Sequence, residues 1–491
     1  MAAVFTAVAL VTRLPGLVAA RAFNTDEATI ATLGQTVLGP GTLYVDAADH
    51  KPPLVFAVYG LVQQVTGTLD LRPVRLVVVA LVVAAALVAA AEARRRWGTT
   101  AAWVAGLVLV MGAGALGPAD AQAANFEHFT LLPIVVAVAA GARGRPLVAG
   151  TAVAIAALVK QPAAITALPV AWALWRCCRF RGLGLAALAG SVTLVAVSAP
   201  FGLLRVLDWG LLRNEGYLEL SVADLGHGGV RLSAMAGLAL AFWVGALALV
   251  VAAGWRSPSG HRAPDPPAAP VDGAPARPPE RDVDVWLLLV VSVVATVPGL
   301  RFFPHYLVQV VPAVALLAAK GASRRPRLVR PALAAVAGGA VVAGALAFYE
   351  LSLDVAPPEQ AVASYVRANT EADGKVFIWG NVPEIYWRAG RLPAGALTHN
   401  NLLTGYSGRR VQQATAADVA DAGLYEEFVD RVRRDRPILV IDTAAAGYRG
   451  GDHFPLTGFP ELERFVADHY ERVATIDEVP IYRRLDAEAR P

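Results

Sequence analysis

Charge is scarce in this chain. Asp, Glu, Lys and Arg make up 17% of its 491 residues, while 56% are hydrophobic. A soluble protein of this size needs far more charge to cover its surface, so an ordinary soluble domain is excluded. Cysteine is nearly absent. Cys177 and Cys178 are adjacent in a basic loop, and they support neither a disulfide framework nor a metal site. The period-two alternation of a membrane β-barrel is missing. No basic stretch precedes the first apolar run, so it reads as a retained span rather than a cleaved signal. A transporter or flippase would usually show two comparable halves and broken mid-span helices, and neither is visible. A non-catalytic binding protein of the membrane is a further alternative.

What the chain does have is a series of apolar runs, each about 15–23 residues long, continuing to Tyr349. This pattern predicts a polytopic α-helical membrane protein. The net charge of +4 is modest, and the basic residues fall in short clusters between the runs. Such clusters set topology and do not suggest nucleic-acid binding. Arg94-Arg95-Arg96, Arg143 and Arg145, Arg176 to Arg181, Arg256 to Arg281 and Arg324 to Arg330 mark cytoplasmic loops. The segments between them, 21–53, 118–128, 204–229 and 301–306, then face outward. Leu54–Thr66 is short and carries Gln63 and Gln64, so it is expected to lie in the interface. The spans run roughly over 2–20, 71–93, 99–117, 129–142, 146–159, 162–176, 183–203, 230–254, 284–300, 304–320 and 331–349, about 11 crossings.

Three regions are expected. Residues 1–350 form the membrane domain. Within it, 255–283 is Pro- and Ala-rich and cannot bury a core, so it reads as a disordered cytoplasmic linker. Residues 351–491 have ordinary charge content and no spanning run. Ala361–Asn369, Leu424–Arg434 and Phe465–His469 read as helices. Lys375–Trp379 and Ile438–Asp442 read as strands, and Val473–Ile476 can pair with Pro480–Arg483. That alternation predicts a small extracytoplasmic α/β domain. Trp379-Gly380-Asn381 lacks the Gly spacing and Lys of a phosphate loop.

Against this apolar background, the outer segments carry ionisable groups where charge is costly, which marks a functional site. The first holds Asn24-Thr25-Asp26-Glu27 and, later, Asp49-His50-Lys51-Pro52-Pro53-Leu54. Asp26 or Thr25 could instead cap the helix Glu27–Val37. The second holds Asp120, Asn125, Glu127 and His128. Lys160 follows another span and calls for an anionic partner, a phosphate or one of these acids. Further segments hold Asp208, Arg213, Tyr217 and His227, then Arg301, Phe303, His305 and Tyr306. His50, His128, His227 and His305 all fall on the outer side and could join the acids around a divalent metal, although no HExxH-like spacing links them.

A span ending in Asp-Glu, a loop closing on His-Lys-Pro-Pro-Leu, an acid after the third span and a Lys after the fifth resemble the GT-C membrane glycosyltransferases. The resemblance is to the protein O-mannosyltransferase and lipid A aminoarabinose transferase-like group. It covers about residues 1–350. Arg301-Phe302-Phe303-Pro304-His305-Tyr306 and Trp379-Gly380-Asn381-Val382-Pro383-Glu384 look like bacterial glycosyltransferase family 39-like members, and extend it over the whole chain. The resemblance implies an inverting transfer of sugar from a polyprenyl-phosphate donor to an acceptor hydroxyl at the outer face of a bacterial cell membrane. The acceptor would be a protein, a lipid or a cell-wall glycan. Asp26 takes the place of the catalytic base, with Glu27 beside it. Lys51, Lys160 and Arg301 are placed at the donor phosphate. Asp49, His50, Asp120, Asn125, Glu127, Tyr217, His305 and Tyr306 are placed at the substrates. No cofactor is certain. Glu27, His50 and His305 are candidates for a divalent metal, but the aminoarabinose enzyme has a metal-holding Glu where His50 stands, so that site does not carry over unchanged.

Overall fold

The computed structural model describes residues 1–39, 41–214, 222–254, 282–352, 359–404, 415–419 and 421–486. The chain is a polytopic helical bundle with a small mixed sheet formed by its C-terminal part. The predicted linker, apart from residues 282 and 283, lies outside the described residues, as do Tyr217 and Tyr406, the latter polar and aromatic enough, with Asn400-Asn401, to touch a sugar.

Among the described residues, five stretches are long and apolar enough to cross a membrane: Arg72–Trp97, Gln161–Phe201, Leu225–Gly254, Pro304–Arg324 and Pro326–Ser352. Shorter apolar helices, including Thr99–Ala113, Phe126–Ala142 and Pro146–Val159, pack among them. Gln161–Phe201 holds two of the expected passes. Its helix Ala167–Ser198 breaks at Arg179 (φ 52°, ψ −149°), with Gly141 against Val170 before the break and Gly150 against the Ala186 backbone after it. Small residues bring the helix backbones close elsewhere too, with Gly245 on Ala332 and Gly321 on Leu249. This is the packing use of a Gly- and Ala-rich composition.

The first apolar run is not one straight span. It divides into Ala2–Thr12 and Leu14–Val18 at Arg13, which is 2% exposed. After it come Thr25–Leu38 and Leu54–Thr66, which pack on each other where Gly34 meets Gly60. The basic clusters gather at one end of the bundle. There Arg96 pairs with Glu92 (2.6 Å) and Asp284 (2.5 Å), Arg143 with Glu92 (3.0 Å) and Lys320 with Asp282 (2.9 Å). Arg75 begins the same helix that carries Arg96, so the two ends lie about 32 Å apart at 1.5 Å per residue.

The C-terminal sheet contains β1 (Lys375–Trp379), β2 (Leu392–Pro393), β3 (Leu439–Asp442), β4 (Tyr470–Ile476) and β5 (Val479–Arg484), in the order β2-β1-β3-β5-β4. β1 is parallel to β2 and β3, while β5 is antiparallel to β3 and β4. The period-two pleat explains its two-sided burial. Val376 and Ile378 join Leu439, Ile441 and Ile481 beneath the helices Glu359–Asn369 and Glu384–Ala389. Phe377 and Trp379 face the other way, against Phe428 and Phe459.

The sheet is anchored to the part of the bundle between Gln35 and Leu69. Ala48 N donates to Ala396 O (2.8 Å), Lys375 Nζ to Asp46 (2.9 Å), Trp387 Nε1 to Leu69 O (2.8 Å) and Gln35 Nε2 to Trp387 O (3.1 Å). These contacts hold the C-terminal sheet over that part of the bundle.

Candidate active site

A cavity of about 650 Å³ lies between the bundle and the C-terminal sheet. Its bundle wall is set by two buried arginines. Arg13 donates to the carbonyls of Ala121 (2.7 Å), Gln122 (3.1 Å) and Ala123 (3.1 Å), and to His128 Nε2 (2.9 Å). Arg75 donates to the carbonyls of Gly16 (2.8 Å), Ala19 (2.7 Å) and Arg21 (2.6 Å), and through two nitrogens to Glu27 (2.9 and 2.6 Å). Arg13 thus holds the segment 121–123, and Arg75 ties the end of the first apolar run to Glu27.

These clamps give Asp26 and Glu27 different positions. Asn24 caps the helix, its Oδ1 accepting from Glu27 N at 2.9 Å. Neither Asp26 nor Thr25 is the cap, so the Asp26 carboxylate is left to face the cavity with 54% of its side chain exposed. Glu27 is 0% exposed and does not line the cavity. Its oxygens also accept from Phe23 N (3.0 Å) and Ala124 N (2.8 Å). Glu27, a catalytic and metal candidate in the sequence, is thus placed behind the cavity wall with its oxygens bonded to Arg75 and backbone amides.

His305 stands behind Asp26. Its Nδ1 donates to Asp120 Oδ2 at 2.8 Å, and Asn24 Nδ2 donates to Asp120 Oδ1 at 2.9 Å. An ionised carboxylate only accepts, so Asp120 fixes the proton on Nδ1. Nε2 then faces Asp26 Oδ2 at 3.6 Å and Glu127 Oε1 at 4.0 Å. Burial opposes ionisation of Asp120, but neighbouring His305 and Asn24 hold its carboxyl below the usual range.

Lys160 meets one of the acids named in the sequence. It pairs with Glu127, and Tyr306 presents its ring face 4.0 Å from Nζ. Asp49, His50 and Lys51 form a second cluster. His50 Nδ1 lies 3.0 Å from Asp49 Oδ1, and Lys51 Nζ contacts His50 Nε2. Burial would raise the Asp49 carboxyl, yet His50 and Lys51 hold it well below the usual range. Burial lowers Lys51 and His50, partly opposed by Asp49. The backbone entering Pro52-Pro53 is fixed from both sides, with Tyr44 OH donating to Lys51 O (2.7 Å) and Gln161 Nε2 to His50 O (2.6 Å), and Pro53 then opens the helix Leu54–Thr66.

Asp26, Asp49, His50, Lys51, Asp120, Glu127, Lys160, Arg301, His305 and Tyr306 thus share one cavity. Asn125 lies behind it, with Nδ2 donating to Asp120 O at 3.4 Å. His128 is buried against Arg13, and His227 is exposed. Among the described residues no three His, Cys, Asp or Glu side chains are grouped to hold a metal ion.

Several site residues escaped the sequence reading. Arg231 lines the cavity, lies 5.1 Å from the Phe303 ring centroid and donates to Arg301 O at 3.2 Å, which puts two guanidinium groups on one wall. Arg13 and Arg75 interrupt apolar runs, and intramembrane charge was the signal that could have found them. Asn381, His399 and Asn401 reach the cavity from the C-terminal part of the chain; of these only His399 had no reading in the sequence, because Asn381 lies in the Trp379–Glu384 segment and Asn400-Asn401 are polar enough to touch a sugar.

No protein-family model matches the chain. No curated protein matches it either. Solved structures do. ArnT from Cupriavidus metallidurans, solved bound to undecaprenyl phosphate, is 14% identical with a TM-score of 0.56, the match covering 100% of this chain and 99% of that one. The Archaeoglobus fulgidus oligosaccharyltransferase, solved with zinc and sulfate, is 12% identical with a TM-score of 0.55, the match covering 96% of this chain and 71% of that one. The chain therefore has the fold of the GT-C membrane glycosyltransferases.

Proposed function

We propose that the protein is an inverting glycosyltransferase that moves a sugar from a polyprenyl-phosphate donor to an acceptor hydroxyl. The observation that carries this reading is the exposed Asp26 carboxylate in the same cavity as Lys51, Lys160, Arg231 and Arg301. The reaction needs both kinds of group. A base must accept the acceptor proton, and cations must receive the charge that collects on the departing phosphate.

Asp26 takes the proton as the acceptor oxygen bonds to the anomeric carbon from the face opposite the phosphate. The bond from that carbon to the phosphate oxygen breaks, and its electron pair leaves with polyprenyl phosphate. A phosphate leaving group needs no proton from an acid. Arg231 and Arg301 offer planar forks suited to phosphate oxygens. Lys160 is already paired with Glu127 and supplies field more than a direct contact. Asp120 and Asn24 keep His305 oriented beside Asp26, so these are positioning residues. The fold neighbours raise the question of a metal, which these residues do not fit as arranged. Glu27 is saturated by Arg75 and backbone amides, and the His305 nitrogens already face Asp120, Asp26 and Glu127. No step is therefore assigned to one.

A lipid donor also needs a lipid-facing entrance. The helix Leu203–Leu211 supplies Asp208 and Trp209 to the cavity, while Leu204 (79% exposed) and Leu211 lie on its outer surface. That amphipathic placement suits the membrane interface, with the polyprenyl chain outside and the phosphate within. The basic end of the bundle is opposite the cavity, which supports an outward-facing site by the positive-inside rule. The same rule underlies our reading of about 11 crossings, with residues 1–350 as the catalytic bundle and 351–491 as an extracytoplasmic domain.

Binding of undecaprenyl phosphate to the protein in nanodiscs tests the donor side. Arg301→Gln and Arg231→Gln should each weaken it by roughly tenfold or more, because a charge-assisted contact is lost. Unchanged affinity in both variants would move the phosphate away from this wall.

A further inference from the structure

The remaining wall of the cavity comes from the C-terminal sheet, and it has a different chemistry. β1 ends at Gly380, whose φ of 135° suits glycine, and a Cβ there would overlap Thr443 Oγ1. Gly380 O accepts from Asn400 N at 3.1 Å, which ties the turn at Asn381 to the segment 398–401. Leu397 pairs with Ala48 across to the bundle. His399 is thereby placed beside the Asp49-His50-Lys51 cluster, within electrostatic reach of Asp26. Asn381, His399 and Asn401 all line the cavity.

These residues hold unusual polar atoms. Asn381 Oδ1 is buried without a hydrogen-bond partner among the described residues. So are four atoms on successive residues: Thr398 Oγ1, His399 Nδ1, Asn400 Nδ2 and Asn401 Oδ1. Folded proteins pair nearly all such atoms, and leaving one unpaired is destabilising. Three of the five, on Asn381, His399 and Asn401, belong to residues that line the cavity, where a ligand supplying both donors and acceptors can pair them. Burial keeps His399 below the usual imidazole range, which leaves it neutral, with one donor and one acceptor nitrogen. The patch at Asn381, His399 and Asn401 carries amides and an imidazole, whereas Arg231 and Arg301 are cationic and Asp421 and Glu427, from the same part of the chain, are acidic. Phosphate suits the arginines, and neutral hydroxyls suit the amides and imidazole.

We infer that Asn381, His399 and Asn401 form a sugar-reading wall that hydrogen-bonds ring hydroxyls and sets which sugar the protein accepts. This rests on the transferase reading and adds to it a specificity role for the C-terminal sheet. The hydroxyls could belong to the donor sugar or to a glycan acceptor, because the wall lies close to Asp26.

The test uses the full chain in nanodiscs, with Asn381→Ala and Asn401→Ala as independent variants. In the donor arm, affinity is measured for undecaprenyl phosphate and for undecaprenyl-phosphate-linked mannose, glucose, arabinose and galactosamine. In the acceptor arm, binding of the matching methyl glycosides is measured. Wild type should bind one sugar-bearing lipid, or one glycoside, more tightly than the rest. Both variants should lose roughly tenfold in that preference while binding bare undecaprenyl phosphate as wild type does, which also shows that they are folded. Loss confined to one arm names the source of the hydroxyls. No sugar preference in wild type, or an unchanged preference in both variants, would overturn the inference. Sugar preference without turnover would count against the transferase and leave this wall intact. Turnover with unaltered preference in the variants would do the reverse.

Discussion

Asp26→Asn is expected to lower the rate of sugar transfer by roughly a thousandfold, the middle of the range for losing a general base. The expectation follows from its place. Asn24 caps the helix, so Asp26 is not needed there, and its carboxylate is turned to the cavity. Asn keeps the volume and removes the basic oxygen, so folding and lipid-phosphate affinity should be retained. Single-turnover release of undecaprenyl phosphate, read beside binding affinity, separates chemistry from substrate capture. A loss below about tenfold with normal binding would place the base elsewhere. Glu127 and Asp120 would then be next to test, although each is already committed to a cation or an imidazole.

The neighbouring acid should behave quite differently. Glu27→Ala and Arg75→Met are expected to unfold the protein rather than to disable a folded one. Arg75 is 0% exposed, and its guanidinium joins the carbonyls of Gly16, Ala19 and Arg21 to Glu27. Removing one partner strands a buried charge, at about 3–5 kcal/mol. Domains hold only about 5–15 kcal/mol in total, so this loss removes much of the margin. Thermal unfolding followed by size-exclusion chromatography should show both variants aggregating well below wild type. Glu27→Gln keeps acceptor capacity for the backbone amides and should be milder. A Glu27→Ala protein as stable as wild type but inactive would restore Glu27 to the chemistry.

The contrast between these adjacent acids shows where sequence reading stops. Two carboxylates at the end of a span are legible as a site, because charge at that depth needs a reason. Which of them faces the cavity depends on Arg75, 48 positions away from Glu27, and no local pattern carries that pairing. Membrane runs, the loop closing on Lys51-Pro52-Pro53 and the strands Lys375–Trp379 and Leu439–Asp442 were readable from hydropathy and period. Arg13 was overlooked because its neighbours are apolar, although it divides the first helix and braces the second outer loop. Lys160 was seen to need an anion, but whether that anion was Glu127 or a phosphate required the fold. Asn381 and His399 meet the site only because the sheet docks on the first outer segment, a tertiary fact with no periodic signature.

The central claim is transfer from a lipid phosphate with inversion, and turnover measures it most directly. Wild-type protein in nanodiscs would be offered radiolabelled polyprenyl-phosphate mannose, glucose, arabinose and galactosamine, with membrane extract as the source of acceptor. At least one donor should yield free polyprenyl phosphate together with a labelled glycoside of the opposite anomeric configuration, and Asp26→Asn should yield neither. Donor breakdown that persists in Asp26→Asn, or a product that retains the donor's anomeric configuration, would contradict that claim.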